Sequence, residues 1–264
     1  MSGRRTSSES KPGDGQRQGG RIIIKRAAAV IPVRYQSSRF PGKPLASILG
    51  KPMIQRVYEG VRKAKLVERI IVATDDERIR KVVESFGAEA VLTSRDHKSG
   101  TERAAEVMQI IDNNIIINVQ GDEPLVTGGL VDSLVEALQD EDVPMASLMA
   151  KVYDLGLLAD PNVNKVVTDQ DGFALYFSRA PIPYQASDFF YQHIGIYGYK
   201  REFLIEFAKM KPSRLERLER LEQLRALESG CRIKMVEALS PTLSVDTPGD
   251  IIKVEEFLRK KGHA

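Results

Sequence analysis

Ala27-Ala28-Ala29-Val30-Ile31-Pro32-Val33-Arg34-Tyr35-Gln36-Ser37-Ser38-Arg39-Phe40-Pro41-Gly42-Lys43-Pro44-Leu45 joins a run of small and β-branched residues to a loop that no helix can continue. The apolar run Ala27 to Ile31 reads as a strand. Prolines 32, 41 and 44 and Gly42 punctuate the remainder of the segment, since proline fixes φ and removes a donor while glycine marks turns. Arg34, Arg39 and Lys43 fall inside this stretch. Three cations on a loop at a strand end can surround a polyanion, and fixed positive charge there stabilises the charge that builds up in phosphoryl or nucleotidyl transfer. A solvated basic loop is the alternative that spacing leaves open.

Outward from this loop, short β-branched runs alternate with longer amphipathic stretches, the pattern of an α/β protein. The expected strands are 27–31, 69–73, 89–92, 115–119 and 145–151, and the expected helices are 53–64, 77–86, 101–111 and 129–139. Near-continuous apolar strands such as Ile115-Ile116-Ile117-Asn118-Val119 are buried on both faces, which predicts a mainly parallel sheet flanked by helices. In such sheets ligands bind beyond the carboxyl ends of the strands. The basic loop, Thr74-Asp75-Asp76 and Gln120-Gly121-Asp122-Glu123-Pro124 all come directly after strands, so they are expected on one edge. Thr74 and Asp75 read either as ligand contacts or as a cap before Glu77. Asp122, between Gly121 and Pro124 at a strand tip, reads as a Mg²⁺ ligand or as a solvated turn aspartate. Asp96-His97-Lys98-Ser99-Gly100-Thr101-Glu102-Arg103 reads as a loop ending in a helix capped by Ser99 or Thr101, whose N–H groups also suit an anion or a nucleobase edge.

Composition bounds the rest. The chain has 264 residues, 42% hydrophobic and 28% charged, ordinary values for a soluble globular protein of one domain or one domain with a smaller lobe. No run approaches the roughly 20 apolar residues of a membrane span. One cysteine, Cys231, excludes an internal disulfide, and three histidines argue against a His/Cys metal cage, so a metal would rest on carboxylates, which favours Mg²⁺ or Mn²⁺. The basic balance is local: residues 1–26 carry seven cations against Glu9 and Asp14, a net +5, so within the total of +3 the other 238 residues sum to −2. Residues 1–26, rich in Ser, Gly, Arg and Gln, are expected to be a disordered extension, and nothing else points to nucleic acid.

The second half changes character. Lys165 to Thr168 and Ala174 to Phe177 flank an Asp-Gly turn and read as a hairpin. Arg179 leaves it. His193 to Tyr199 reads as a strand with His193 and Tyr197 on one face, either a polar pocket wall or a packed core pair. A helix over 215–228 carries leucines every third residue, which sweep around it and predict substantial burial. Glu222 lies about 20° from Leu215 on that wheel, so it needs a partner: Arg225, or a ligand hydroxyl. After a short strand at 233–236, Ser244-Val245-Asp246-Thr247-Pro248 sets a second carboxylate before a closing helix over 249–258. Asp246 reads as its cap or as a second metal ligand.

Seven segments in order, IPVRYQSSRFPGKPL (31–45), SGTERAAEV (99–107), NVQGDEP (118–124), ALYFSRAPIP (174–183), HIGIYGY (193–199), LEQLRALESG (221–230) and SVDTPGDI (244–251), resemble the 3-deoxy-manno-octulosonate (Kdo) cytidylyltransferases, or CMP-Kdo synthetases. The resemblance spans residues 27–260. It implies a Rossmann-like nucleotidyltransferase fold over 27–264, in which a smaller α+β subdomain, about 152–230, serves sugar binding and dimerisation. It implies a cytoplasmic homodimer, without membrane or nucleic-acid partners, that uses CTP, Kdo and Mg²⁺ on the way to lipopolysaccharide. Carried over, Arg34, Ser37, Arg39, Lys43, Thr74, Ser99, Gly100, Arg103 and Gln120 would form the nucleotide site. Arg34, Arg39, Lys43, Asp122 and Asp246 would be catalytic, with Asp122 and Asp246 on the metal. Gln120, Arg179, His193, Tyr197, Glu222 and Gln223 would hold the sugar. Ser244 stands where many relatives have glycine and Gly249 where an acid is common, both beside Asp246. Another 2-keto sugar acid, a sialic acid or 8-amino-Kdo, is the rival substrate, and a catalytically silent nucleotide-binding protein the rival class.

Overall fold

The computed structural model describes residues 26–37 and 39–262. The expected disordered extension therefore lies, apart from Arg26, outside the described residues. In chain order the strands are β1 (Ala27–Val33), β2 (Ser47–Ile48), β3 (Lys51–Pro52), β4 (Val67–Thr74), β5 (Glu89–Leu92), β6 (Ile115–Val119), β7 (Met145–Val152), β8 (Lys165–Thr168), β9 (Ala174–Ser178), β10 (Phe190–Lys200) and β11 (Ile233–Ala238). The helices are α1 (Met53–Val61), α2 (Glu77–Ser85), α3 (Gly100–Val107), α4 (Gly128–Ala137), α5 (Arg201–Lys209), α6 (Arg214–Glu219), α7 (Gln223–Glu228) and α8 (Pro248–Lys260).

The main sheet runs β11-β7-β10-β6-β1-β4-β5. β1 pairs in parallel with β4 and β6, β4 with β5, and β11 with β7. β10 alone in this path is antiparallel to its neighbours, β6 and β7, and β8 with β9 continues antiparallel from it. The α/β reading with a mainly parallel sheet therefore holds, with one reversed strand that periodicity had not located. All seven β1 residues are buried, and Ala27, Ala28 and Ala29 are small enough for helices to approach both faces. One face packs Ile54, Val57, Val83 and Leu134 from α1, α2 and α4. The other packs Ala104, Leu204, Phe207 and Leu224 from α3, α5 and α7.

Two expectations need correction. The helix over 215–228 is broken: α6 ends at Glu219, Arg220 takes a left-handed conformation (φ 55°), and α7 begins at Gln223. The break resolves the leucine sweep that one straight helix could not bury: Leu221 and Leu224 enter the core, and Leu218 stays exposed. The helix caps also differ. Asp76, not Thr74 or Asp75, caps α2 by accepting from Arg78 N, and Thr247, not Asp246, caps α8 in a capping box with Asp250.

Candidate active site

Loop closure places the cations. Gly42 adopts φ 72°, a left-handed turn that suits glycine, and its N–H donates to Tyr35 O at 2.9 Å. The guanidinium of Arg78 lies 3.4 Å from the Tyr35 ring centroid, which fastens the loop to α2. A short 3₁₀ turn at Lys43–Leu45 then aims Lys43 inward.

The tip of β6 meets this loop. A Cβ on Gly121 would lie 2.1 Å from Val33 Cγ1, so glycine is required here by the close approach of two strand ends rather than by the sharp turn its neighbours suggest. Asp122 O accepts from Val245 N at 2.9 Å, which ties the segment before α8 to the tip. Lys43 Nζ donates to Asp122 Oδ2 and to Val245 O, both at 2.7 Å, and lies 3.6 Å from Asp246 Oδ1. Arg39 donates to Asp246 Oδ1 at 2.9 Å. Both carboxylates thus converge on one ammonium. The pair fits a hard divalent ion held by one or two carboxylates plus substrate phosphates and water. Among the described residues no group of three or more His, Cys, Asp or Glu offers a cage made of protein alone.

Arg34, Ser37, Arg39, Lys43, Ser99, Gly100, Arg103, Gln120, Asp122 and Asp246 line one cleft of about 260 Å³. Thr74 is not in it: it is fully buried, its hydroxyl accepts from Asp76 N, and its carbonyl takes Thr93. Arg103 lines the cleft but is held from behind by Asp75 at 3.2 Å, Ser94 O and the Thr93 hydroxyl. His97 and Lys98 also line it, and the sequence reading gave them no role although both stand directly before Ser99. Ser99, rather than Thr101, caps α3 by accepting from Glu102 N. Glu123, beside Asp122, is turned into the core, and burial pushes its carboxyl up to about 8.

Four of the six residues expected at the sugar form a second group, with His193 and Gln223 buried and Tyr197 and Glu222 part-buried. His193 Nε2 lies 2.9 Å from Ser147 Oγ, His193 Nδ1 lies 3.4 Å from Gln223 Nε2, and the Tyr197 hydroxyl donates to Gln223 Oε1 at 3.1 Å. Burial drives His193 down to about 3, so it is neutral, and drives Tyr197 upward. Glu222 is raised by burial. It accepts from the Thr101 hydroxyl at 2.6 Å, and that contact joins this group to the cleft, since Thr101 is the residue after Gly100. Arg225 reaches Glu222 only at 3.6 Å and binds Glu216 more closely, at 2.6 Å, so the simple ion pair is the minor contact. Arg179 stands apart from the other four among the described contacts. It donates to the carbonyls of Glu219 and Pro161, both at 2.8 Å. Asn118, across from Tyr197 in the sheet and near Gln120, carries a buried Nδ2 with no partner among the described residues. Sequence had marked it only as one polar residue in an apolar strand.

A family model described as Cytidylyltransferase matches residues 28–234. A 3-deoxy-manno-octulosonate cytidylyltransferase of Syntrophotalea carbinolica is 52% identical over 244 residues, covering 88% of this chain and 98% of the relative. The protein of the same description from Geobacter sulfurreducens is 48% identical over 246 residues, with the same coverage. Among solved structures, a CMP:2-keto-3-deoxy-manno-octonic acid synthetase complexed with CTP superposes with a TM-score of 0.85 at 41% identity, covering 89% of this chain and 99% of that one. A 4-diphosphocytidyl-2C-methyl-D-erythritol synthase from Anaerococcus prevotii, at 13% identity and a TM-score of 0.62, shares the fold.

Proposed function

The chain belongs to the cytidylyltransferase family, and from that premise we propose that it transfers CMP from CTP to 3-deoxy-D-manno-octulosonate, releasing pyrophosphate and activating Kdo for lipopolysaccharide synthesis. The observation that carries this reading is the convergence of Arg39, Lys43, Asp122 and Asp246 at the strand ends, with the group of His193, Tyr197, Glu222 and Gln223 joined to the cleft through Thr101. The anomeric hydroxyl of Kdo attacks the α-phosphorus in line. The new P–O bond forms as the bond to the β-phosphate oxygen breaks, pyrophosphate departs, and the hydroxyl proton passes to solvent. No side-chain nucleophile is needed, so the protein contributes position and electrostatics.

Arg34, Arg39 and Lys43 hold the triphosphate, and Ser37, Ser99, Gly100, Arg103 and Gln120 seat the nucleotide. Lys43, now bridging Asp122 and Asp246, turns to phosphate when CTP enters. Asp122 and Asp246 would hold Mg²⁺ or Mn²⁺, which would neutralise phosphate charge. His193, Tyr197, Glu222 and Gln223 take sugar hydroxyls, and Arg179 takes the carboxylate once released from its carbonyl partners. A homodimer in the cytoplasm completes the reading; no helix among the described residues is long and apolar enough to cross a membrane. Pyrophosphate release with CTP and a panel of Kdo, 8-amino-Kdo and sialic acid tests it. The expected outcome is turnover with Kdo. CTP binding without turnover of any acid would instead mark a silent nucleotide-binding protein.

A further inference from the structure

His193 is buried and neutral, so its two ring nitrogens divide the roles of donor and acceptor, and something must decide which is which. The register of β10 against β7 passes from Ile194 opposite Leu148 to Tyr197 opposite Ser147, which inserts Gly195 and Ile196 as a bulge. Two inserted residues preserve the alternation of faces, so His193 and Tyr197 still share one side. Ser147, opposite the bulge, is fully buried, and its Oγ lies 2.9 Å from Ile196 O, 3.3 Å from Ile194 O and 2.9 Å from His193 Nε2.

A serine hydroxyl has one proton. Two carbonyl oxygens, which can only accept, press on it, and donation to His193 instead would leave three lone-pair-bearing oxygens facing one another. The proton therefore goes to a carbonyl, and Oγ can meet Nε2 only as an acceptor. From this geometry we propose that Ser147 is a positioning residue that fixes His193 as the Nε2–H tautomer and, through it, fixes the orientation of Gln223 at the sugar side of the site.

The other hydrogen bonds run in one direction. With Nε2 protonated, Nδ1 is bare and accepts from Gln223 Nε2. The Gln223 amide is then turned with Oε1 toward Tyr197, whose hydroxyl donates to it. Tyr197 to Gln223 to His193 to Ser147 to Ile196 O is an unbroken donor sequence in which no two donors or two acceptors meet. It leaves the second amide hydrogen of Gln223 and the lone pairs of the Tyr197 oxygen for a ligand. A donor beside an acceptor is what a hydroxyl group can satisfy in both capacities. The reversed tautomer would turn Gln223 over and set a bare Nε2 against a Ser147 oxygen whose proton is held by a carbonyl, two acceptors facing each other.

This inference rests on the reading of His193, Tyr197 and Gln223 as sugar-binding, but its first test does not. Long-range ¹H–¹⁵N correlation on the ligand-free, histidine-labelled full chain, with His193 identified by its loss in His193→Gln, is expected to show a protonated Nε2 and a bare Nδ1. Ser147→Ala should give mixed tautomers. It should also raise KM for the sugar acid by about fivefold to tenfold, the worth of one neutral hydrogen bond, with KM for CTP unchanged. Ser147→Thr, which keeps the hydroxyl, should restore both. Ser147→Cys, close in shape with a weaker acceptor, should fall between and replaces the alanine variant if that one does not fold. A wild-type His193 protonated on Nδ1 overturns the proposal, as does a Ser147 variant without a hydroxyl that keeps both tautomer and sugar KM. Normal tautomer results with no sugar acid turned over would leave Ser147's role standing and reject the sugar reading.

Discussion

Arg39, Lys43, Asp122 and Asp246 meet in a cleft open to solvent, where the Arg39 side chain is 60% exposed, whereas Ser147, His193 and Gln223 meet in the core, where His193 is 5% exposed. The first group satisfies itself by charge: each of the two cations has a carboxylate within 4 Å, in three ion pairs that share Lys43 and Asp246. The second is neutral and directional, each hydrogen bond fixing the next. Charge with loose geometry suits a flexible polyphosphate, whose negative charge is its main handle. Directed hydrogen bonds in a dry setting suit a sugar, which differs from its rivals only in where its hydroxyls lie, because a buried polar group left unpaired costs more than a surface charge left unpaired.

The strongest way to break this contrast is Asp122→Asn. It removes one charge from the cleft and nothing from the buried group, and turnover should fall about 100- to 1,000-fold, the scale of losing one charge-stabilising group, with the thermal midpoint nearly kept. Near-normal turnover would sink the metal role of Asp122 and with it the electrostatic account of the cleft. Next in size is Gln223→Leu. It strips His193 Nδ1 and the Tyr197 hydroxyl of their partner, so KM for the sugar acid should rise about 10- to 100-fold. KM for CTP should stay put; an equal rise in both would mean the two regions are one.

A smaller effect separates the two by salt. Raising ionic strength from about 0.05 to 0.5 M shortens the screening length well below cleft dimensions, so CTP affinity measured by calorimetry should weaken several-fold. Gln223→Leu should show the same salt dependence for CTP as the parent. A CTP affinity indifferent to salt would contradict a cleft that works by charge.

The cleft was far more legible in the sequence than the buried group, and the physical reason is locality. Arg34, Arg39 and Lys43 lie on one loop, Asp122 sits between Gly121 and Pro124 at a strand end, and the rule that ligands lie beyond strand ends brings them together without knowledge of packing. The resemblance then implied which residues would face the sugar but not how they are held. Ser147 lay unnoticed inside an apolar strand, because its role depends on a two-residue bulge in β10 and on β10 inserting antiparallel between β6 and β7. Bulges and crossovers are long-range outcomes that period-2 counting does not register. The break at Arg220 was missed for the same reason: helical spacing continues through it, and the burial of Leu221 and Leu224 against Leu218 in solvent appears only with the fold. Thr74 erred in the other direction, since a strand-end position alone places a side chain on the right edge but does not turn it toward the cleft.

The smallest test asks whether the buried group is as dry as its hydrogen bonds imply. Burial lowers His193 from an ordinary value of 6.5 to about 3, so the unfolded chain binds this proton more readily than the folded one. Stability contributed by the neutral ring is therefore fully present above pH 6.5 and is lost as pH falls from there toward 3, because protonation then favours the unfolded state. Between pH 6.5 and 5.5 the loss amounts to about 1 kcal/mol, approaching a slope of about 1.4 kcal/mol per pH unit below that. Denaturant unfolding of the parent and of His193→Gln across this range isolates the contribution, since carboxylate titrations are common to both and cancel in the difference. The parent should lose stability more steeply by about that amount, whatever the offset between the two proteins at pH 7. Parallel curves would mean that water reaches His193 and that its ring can charge in place. The direction of the chain from Tyr197 to Ser147 would then no longer be fixed by a neutral imidazole.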